Sequence, residues 1–559
     1  MCTRARSHVC HRLLLGGVLF VLAAGCGAPA RSPADVRFRN APTAWRVADE
    51  VPIPKPHPSR FLPSFYHFDQ LVYRPVDRVL GVPSSKRAAN TNAVGEVPDS
   101  SWFENRIGSS ELSAAEVERG PAAAVGPDLS SPLVILSGKT GGAQPGFLVQ
   151  DARGHRYLLK FDRRGEPVAE TGAHIVVNRL LWAAGYHVPE DSIVYLSAQD
   201  LVIADGATRR GSFSGNKKPL TQRRVDKILA RASKGADGKV RALASRFLPG
   251  KPIGGFAQTG VRHDDANDRI AHERRRELRG MYVFFSWLKS TDMKTDNTLD
   301  MWQAKEGELG VVRHYLLDFG MSLGVNALAV GTRGDGYERF FDWSQSLTRS
   351  FSLGLWPWHW ESFAVPGEPH VGVLEVEGYR PEQFRTRVPY LPWLSRDRFD
   401  SFWAAKILAR FEESHLRAAV DAARYPDPSS GDYVVRQLLG RRRIALRHWF
   451  AQVTPVDGFD VVDEQFCFSD LGVVHSVLEP AVYSVAFHDF EGQPLAPPSR
   501  ARRANGRYCV PEITMGTAKE RYTIAVVSGA RGGVSLDPVD VHLAEDPRSK
   551  RMRIIGLYR

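Results

Sequence analysis

Cysteine is scarce in this chain of 559 residues, which has five, at positions 2, 10, 26, 467 and 509. No two of them form a C-x-x-C pair, and the sequence contains no H-E-x-x-H. These absences exclude the paired-cysteine zinc site and the helical zinc-protease motif. The chemistry of this protein therefore has to come from other side chains.

Long apolar runs are missing as well. The run near the N terminus, Leu13 to Ala24, follows several arginines and is too short to cross a bilayer. It ends at Cys26 in a pattern that resembles the lipobox of bacterial lipoproteins. The sequence predicts an export signal at residues 1–25 and lipid attachment at Cys26, with an ordinary signal peptide as the alternative. Since Gly27 rather than Asp follows the cysteine, the prediction favours the outer membrane over the inner.

Charge of one sign does not dominate the sequence. The chain has 74 Lys and Arg against 62 Asp and Glu, a formal net charge of +12. This excess favours anionic surfaces but is spread thinly, and we expect no nucleic-acid partner. Residues 26–60 are rich in proline, which predicts a tether between membrane and body. Length and a hydrophobic content of 43% fit two or three globular domains.

The stretch with the most evident chemistry spans residues 290–320. Asp292 is followed by Lys294 and Asn297, and an apolar strand then leads to an Asp-Phe-Gly that begins at Asp318. A carboxylate at Asp292 suits an approaching hydroxyl group. The oxygens of Asn297 and Asp318 are hard ligands that can hold Mg²⁺ against nucleotide phosphates. This spacing predicts phosphoryl transfer.

Asp292-Met-Lys294-Thr-Asp-Asn297 resembles the catalytic loop of protein kinases, and Asp318-Phe-Gly resembles their metal-binding motif. Without an Ala-Pro-Glu signature afterwards, the chain is closer to atypical HipA-type and spore-coat kinases than to eukaryotic regulatory kinases. The resemblance implies that Asp292 accepts the proton of an acceptor hydroxyl and that Lys294 stabilises the moving phosphoryl group. It also implies that Asn297 and Asp318 bind Mg²⁺ or Mn²⁺.

The residues before this stretch follow the order of a kinase N-lobe. A strand, a glycine-rich loop, a second strand, a turn and a strand ending at Lys160 precede a helix that begins near Glu170. The resemblance implies that Lys160 orients nucleotide phosphates, that Glu170 pairs with Lys160, and that the backbone at Gly141 and Gly142 covers the phosphates. Glu166 is the alternative partner of the lysine, and a plain hairpin loop is the alternative for the glycines.

The predicted fold class is α+β: a two-lobed, protein-kinase-like fold with an added C-terminal all-β, sandwich-like domain. The predicted parts are a bracing segment at 61–130, an N-lobe at 131–205, a basic insertion at 206–266, a C-lobe at 267–454 and a β domain at 455–559. Apolar periodicity predicts helices from Glu170 to about Ala184, Asp268 to Lys289, Arg398 to Arg424, and Asp432 to Ala451.

The C-terminal domain contains the two cysteines of the body. Cys467 and Cys509 lie on neighbouring predicted strands, and an exported protein folds in an oxidising compartment. We therefore expect them to form a disulfide, with two buried thiols as the alternative.

Together these features predict an envelope lipoprotein, anchored by its N-terminal lipid. Its kinase-like domain is expected to bind ATP or another purine nucleotide with Mg²⁺ or Mn²⁺. It would transfer a phosphoryl or other nucleotide-derived group to an acceptor, protein or small molecule, that the sequence does not identify. The alternative is a catalytically silent binding or scaffold lipoprotein with the same fold.

Overall fold

The chain is seen in a computed structural model that describes residues 32–59, 68–69, 86–122, 126–139, 144–210, 217–326, 331–340, 342–362, 368, 370–517 and 521–559. The predicted signal at 1–25, the predicted lipid site Cys26 and the loop glycines Gly141 and Gly142 lie outside these ranges. Within the ranges, no helix is both long and apolar enough to cross a membrane.

The first described residues brace the rest of the molecule. They include strand β1 (Ile53–Pro54) and helix α1 (Ala114–Arg119). The ring of Trp102 stacks on His314 with centroids 3.5 Å apart. Phe103 packs against Gly185 so closely that a Cβ at Gly185 would lie 2.3 Å from the Phe103 ring. These contacts tie residues near 102 to the parts that follow.

A mixed sheet forms the next part of the molecule. Its elements are β2 (Leu133–Gly138), β3 (Gly146–Gln150), β4 (Arg156–Phe161), α2 (Ala169–Ala184), β5 (Asp191–Leu196), β6 (Leu201–Arg210), β7 (Lys217–Pro219), α3 (Gln222–Leu229) and β8 (Val240–Arg246). The described strands lie in the order β5-β8-β4-β3-β2-β6-β7, and β2 and β6 are parallel. Alternate side chains such as Leu133, Phe147 and Leu159 are buried in one core.

The predicted end of the N-lobe at residue 205 is wrong. Strand β6 continues to Arg210, and β8 lies between β4 and β5, so the predicted insertion at 206–266 supplies a central strand of the sheet. Val240, Ala242 and Ala244 on β8 are buried in the sheet core. This short alternation of small apolar residues gives a weaker signal in the sequence than the basic residues around it.

Helix α2 agrees with the prediction within one residue. It begins at Ala169 and ends at Ala184, where Gly185 adopts a φ of 125° that favours glycine. Most of its side chains are buried, on both faces. The helix therefore lies inside the molecule and can present polar side chains to a site.

A sheet and a helix carry the motif region. The elements are β9 (Lys251–Gly254), α4 (Arg276–Trp287), β10 (Thr298–Glu306) and β11 (Leu309–Leu316). Strands β1, β11, β10 and β9 form one antiparallel sheet. The predicted helix start at Asp268 is wrong, because the Asp268 carboxylate bonds His272 and Arg275 in the turn before α4.

The helical part follows the motif region. Its helices are α5 (Trp343–Phe351), α6 (Leu391–Leu394), α7 (Arg398–Ala409), α8 (Glu413–Ala422) and α9 (Pro428–Ala451). The predicted helix from Arg398 to Arg424 is two helices, because the chain turns where Phe411 enters the core. Helices α2, α4, α7, α8 and α9 share one large core that includes Trp287 and Trp403.

Two antiparallel sheets form the C-terminal part. The elements are β12 (Val456–Val462), β13 (Gln465–Asp470), α10 (Leu471–Val474), β14 (Val482–His488), β15 (Ser499–Arg500), β16 (Arg502–Ala504), β17 (Arg507–Val510), β18 (Thr523–Arg531), β19 (Val534–Glu545) and β20 (Met552–Tyr558). The strand orders are β12-β13-β17-β16 and β15-β14-β18-β19-β20, and side chains of both sheets, such as Phe466 and Val541, share one core. Cys467 lies opposite Cys509 and forms a disulfide with it.

Candidate functional site

A β-hairpin brings the two predicted metal ligands together. Asn297 directly precedes β10, and Asp318 follows shortly after β11. Thr298 pairs with Leu316, and the Leu317 N–H donates to the Asn297 carbonyl at 2.9 Å. The antiparallel register therefore places these residues, which are distant in sequence, at the same end of one hairpin.

The loop before β10 folds around the carboxylate of Asp292. Lys294 Nζ donates to Asp292 Oδ2 at 2.8 Å, and Asn297 Nδ2 donates to the same oxygen at 3.0 Å. Asn297 Nδ2 also donates to the Asp292 carbonyl at 2.7 Å. Because the amide nitrogen of Asn297 faces the loop, the amide oxygen is the atom that can bind a metal. The predicted catalytic residues and one predicted metal ligand thus form one hydrogen-bonded unit.

The carboxylate of Asp318 is joined to the sheet by Lys160. Lys160 Nζ and Asp318 Oδ1 lie 2.8 Å apart. Desolvation works to raise the pKa of Asp318, but the positive charge of Lys160, its hydrogen bond and the other neighbouring positive charges together outweigh it and hold that pKa well below its usual value. The Asp318 side chain is 48% exposed. This carboxylate is therefore charged and accessible from solvent.

A buried histidine on α2 holds the segment that follows Asp318. The Phe319 N–H donates to His174 Nδ1 at 3.2 Å, and His174 Nε2 lies 2.7 Å from Asp191 Oδ2. Since Nδ1 accepts, the proton lies on Nε2, and Asp191 fixes this tautomer. Asp318 has a φ of 58°, which costs a non-glycine residue about 1 kcal/mol. The bond at Phe319 helps to hold this unfavourable conformation.

No sequence motif predicts the roles of His174 and Asp191. A histidine four residues after Glu170 on a buried helix is indistinguishable in sequence from an ordinary core residue. Only the tertiary approach of Phe319 to α2 shows its role.

Glu170 lies beside the site but is not paired with Lys160. The predicted ion pair is replaced by the bond between Lys160 and Asp318. Gln144 donates a side-chain hydrogen bond to Glu170, and burial raises the pKa of Glu170 to about 7. A Cβ at Gly320 would lie 3.0 Å from Glu170 Cγ, so the glycine allows the carboxyl group to approach the Asp-Phe-Gly segment. The role of Glu170 toward a nucleotide stays a prediction.

A second lysine, directly after β2, lies close enough to interact electrostatically with Lys160, Asp318 and Glu170. Lys139 Nζ donates to the Gln144 carbonyl at 3.3 Å. Burial, reinforced by the like charge of Lys160, lowers the pKa of Lys139 to about 8. The lowered pKa of Lys139 and the raised pKa of Glu170 thus each favour the neutral form of the side chain. The one feature of the sequence that points to Lys139 is its position inside the glycine-rich stretch.

The catalytic-type loop is tied to the chain that follows Asp318. The Thr291 N–H donates to the Met321 carbonyl at 3.0 Å. Lys289 Nζ donates to Glu375 Oε2 at 2.8 Å, and both side chains are buried. These contacts hold the chain where it enters the loop. The hydrogen bonds of Asn297 hold the other end of the loop.

The arrangement can hold a hard divalent cation together with an anionic ligand. The Asn297 amide oxygen and the Asp318 carboxylate are oxygen ligands at one end of a hairpin. Within the described residues there is no group of three or more His, Cys, Asp or Glu side chains that could hold a metal. Mg²⁺ commonly binds through one or two protein oxygens, with phosphates and water completing its shell. The residues present fit that pattern.

No protein-family model and no curated protein matches this sequence. Among solved structures, the chain is similar to a crystal structure of the Golgi casein kinase with Mn and ADP bound, at 12% sequence identity. The similarity covers 52% of this chain and 75% of that chain, with a TM-score of 0.23. A superposition this loose assigns neither a fold family nor a function.

Proposed function

We propose that this protein binds a purine nucleotide with Mg²⁺ or Mn²⁺ in a two-lobed, kinase-like cleft and transfers its terminal phosphoryl group to an acceptor hydroxyl. One observation carries the proposal. The bond between Lys160 and Asp318 joins the sheet to the hairpin end at which Asn297 and Asp292 also lie. A phosphate-binding lysine, metal-binding oxygens and a general base are the parts that phosphoryl transfer requires.

The two lysines would bind the phosphates. Lys160 would exchange its bond to Asp318 for phosphate oxygens, and Asp318 with Asn297 would then bind the metal. Lys139 contributes a second positive charge from the glycine-rich loop. The metal, when bound, would neutralise charge on the phosphates and so supports their transfer.

Asp292 would act at the acceptor. Its carboxylate takes the hydroxyl proton while the acceptor oxygen attacks the terminal phosphorus. The bond between that phosphorus and the bridging oxygen breaks, and the nucleoside diphosphate leaves with the electron pair. Lys294, which bonds Asp292 Oδ2, is positioned to stabilise charge on the moving group.

The test is transfer of label from ATP to envelope components by the wild type and by Asp292→Asn. Label in the γ-phosphate reports phosphoryl transfer, and label in the α-phosphate reports transfer of another part of the nucleotide. We expect γ-label on the acceptor with the wild type, and retained nucleotide binding without transfer in Asp292→Asn. Equal labelling by both proteins would contradict the role of Asp292.

A silent binding protein is the second candidate. The bond between Lys160 and Asp318 favours it, because a lysine that stays on the metal ligand would keep phosphates and metal apart. Nucleotide binding without any transfer by the wild type would decide for this alternative.

We also propose that the chain is exported and anchored in the outer membrane through lipid on Cys26. The support is the basic, apolar and small-residue order of residues 1–26. The wild type should fractionate with membranes, and Cys26→Ser should be released or stay unprocessed. Recovery of the wild type from the cytosol with its N terminus intact would contradict the anchoring.

A further inference from the structure

Large apolar side chains project from the molecule at the end of α5. We call Leu347, Phe351, Leu353, Leu355 and Trp356 the apolar tip. Phe351, Leu353 and Leu355 are 87%, 85% and 84% exposed, and Trp356 is 63% exposed. Leu347 and Phe351 are four residues apart in α5 and so share one helix face. Such a concentration of exposed large apolar groups marks an interaction surface.

The backbone N–H groups of residues 352–355 in the apolar tip are hydrogen-bonded within the chain. The N–H groups of residues 352, 353, 354 and 355 donate to the carbonyls of residues 348, 350, 349 and 352. Leu353 and Gly354 have φ angles of 51° and 78°, which turn the chain at the helix end. A segment that enters an apolar medium must satisfy its own backbone groups. The N–H groups of this turn meet that requirement without water.

The stretch that contains the apolar tip carries almost no charge. From residue 343 to residue 360 the sequence contains no Asp or Glu, and Arg349 is its one Lys or Arg. The guanidinium of Arg349 pairs with Glu361 just beyond that stretch. The one Lys or Arg of this stretch is therefore ion-paired, which suits contact with an apolar medium better than contact with a charged groove.

The apolar tip is connected to the catalytic-type loop by stacked rings. Trp358 stacks on Trp360 at 5.2 Å, and Trp360 stacks on Tyr337 at 5.3 Å. Tyr337 Oη donates to Glu375 at 3.5 Å, and Glu375 bonds the buried ammonium of Lys289 at the entry to the loop. Whatever binds the tip is therefore linked through packed side chains to the residues that precede Asp292.

We propose that the apolar tip inserts into the surface of a phospholipid bilayer. Nearly complete exposure of three separate side chains fits a fluid apolar medium, which accepts protruding groups without a matching groove. Trp356 at the margin is the residue type that prefers the membrane interface. The proposal deepens the proposed function, on which it rests for location, by placing a second membrane contact on the body itself.

This contact would restrict the acceptor. The tip is joined to the entry of the Asp292 loop, so docking would hold that loop at the bilayer. The acceptor class is then a hydroxyl-bearing molecule presented at a membrane surface, rather than one diffusing freely.

The test places an environment-sensitive dye on the apolar tip of the full-length protein. Leu353→Cys is labelled in a chain in which Cys2, Cys10 and Cys26 are changed to Ser, so that only the introduced thiol reacts. Vesicles of phosphatidylcholine and phosphatidylglycerol are added, with and without bromine in the acyl chains. We expect a blue shift on addition of vesicles and quenching by the brominated lipid. Neither readout requires nucleotide binding or lipidation, so failure here is distinguishable from failure of the proposed function.

Two matched chains complete the design. The same dye at Val534→Cys, which is 69% exposed in the C-terminal part, should show neither response. In the Leu353→Cys chain, Phe351→Ser with Leu355→Ser should abolish the blue shift without altering the melting temperature, because both side chains are solvent-exposed. Equal responses at 353 and 534 would overturn the proposal. A dye at 353 that ignores vesicles but responds to a protein acceptor would overturn it in favour of a protein partner.

Discussion

Two clusters in this protein each contain two basic side chains, one Asp and one Glu, and they differ in their electrostatics. The cleft cluster consists of Lys139, Lys160, Glu170 and Asp318. The interdomain cluster, between the helical part and the C-terminal sheets, consists of Glu96, Lys406, Asp457 and Arg559. In the interdomain cluster Lys406 Nζ bonds Asp457 at 2.6 Å and also bonds Glu96, and Arg559 lies 3.5 Å from Asp457.

The directions of the pKa shifts separate Lys406 and Asp457 from Lys139 and Glu170. Burial opposes the charges of Lys406 and Asp457, but their partners outweigh it, so the pKa of Lys406 is raised and that of Asp457 is lowered, while burial lowers the pKa of Arg559. In the cleft cluster the partners of Asp318 likewise lower its pKa, but burial prevails at the other two sites, where the pKa of Lys139 falls to about 8 and that of Glu170 rises to about 7. An ion pair alone therefore does not mark a functional site. A functional site is marked instead by charged groups in a cleft whose burial the surrounding protein only partly compensates.

The largest expected effect comes from removing the central lysine of the interdomain cluster. Lys406→Met leaves the carboxylates of Glu96 and Asp457 facing each other in a largely buried place. Breaking such a network should lower the free energy of unfolding by about 3 kcal/mol. Lys139→Met removes a charge that burial already disfavours, so it should leave that free energy unchanged or raise it. Urea unfolding of both variants measures this, and equal losses would show that the clusters do not differ.

The next effect concerns His174, which holds the Asp-Phe-Gly segment. His174→Ala should weaken metal binding at saturating nucleotide by about tenfold or more, because the carboxylate of Asp318 loses its fixed position. The control is His415→Ala, whose ring likewise makes two hydrogen bonds, to Leu112 and Glu412, far from the cleft in sequence. Both variants should lose stability. If both change metal affinity equally, His174 is not a positioning residue.

The smallest expected effect is a pH dependence of nucleotide affinity. Because its pKa is raised, Glu170 is neutral below about pH 7 and becomes charged above it, where it repels phosphates. Affinity should therefore fall as the pH rises through about 7, and Glu170→Gln should remove this part of the fall. Comparing the two proteins by calorimetry cancels the titration of the nucleotide itself. If nucleotide binding instead requires the charged carboxylate of Glu170 to hold Lys160, Glu170→Gln will bind the nucleotide more weakly than the wild type at high pH.

The residues of the motif region could be predicted from sequence because local spacing determines their chemistry. Asp292, Lys294 and Asn297 lie within one short loop, and Asp318 follows the strand that pairs with the strand after Asn297. A hairpin needs no long-range information to bring its ends together. Lys160 was predictable from its place at the end of a strand.

The partners of these residues could not be predicted in the same way. Lys160 bonds Asp318 rather than Glu170, and His174 bonds the chain after Asp318. The first contact depends on how closely β4 approaches the residues after the hairpin, and the second on how closely α2 does. No local pattern encodes either distance. The course of β8 was missed for a related reason. Its Val240, Ala242 and Ala244 are small, so the apolar signal was weaker than the surrounding charges.

The most direct test of the central claim is the melting temperature of the full-length protein with ATP, with Mg²⁺, and with both. The account predicts that Mg²⁺ and ATP together raise it most, with a stabilisation of about 2.7 kcal/mol at a ligand concentration of a hundred times Kd. Asp318→Asn keeps the shape and a hydrogen bond to Lys160 but should abolish the metal-dependent part of the shift. No shift with any nucleotide, or the same metal-dependent shift in Asp318→Asn, would contradict a metal–nucleotide site between Lys160 and the hairpin.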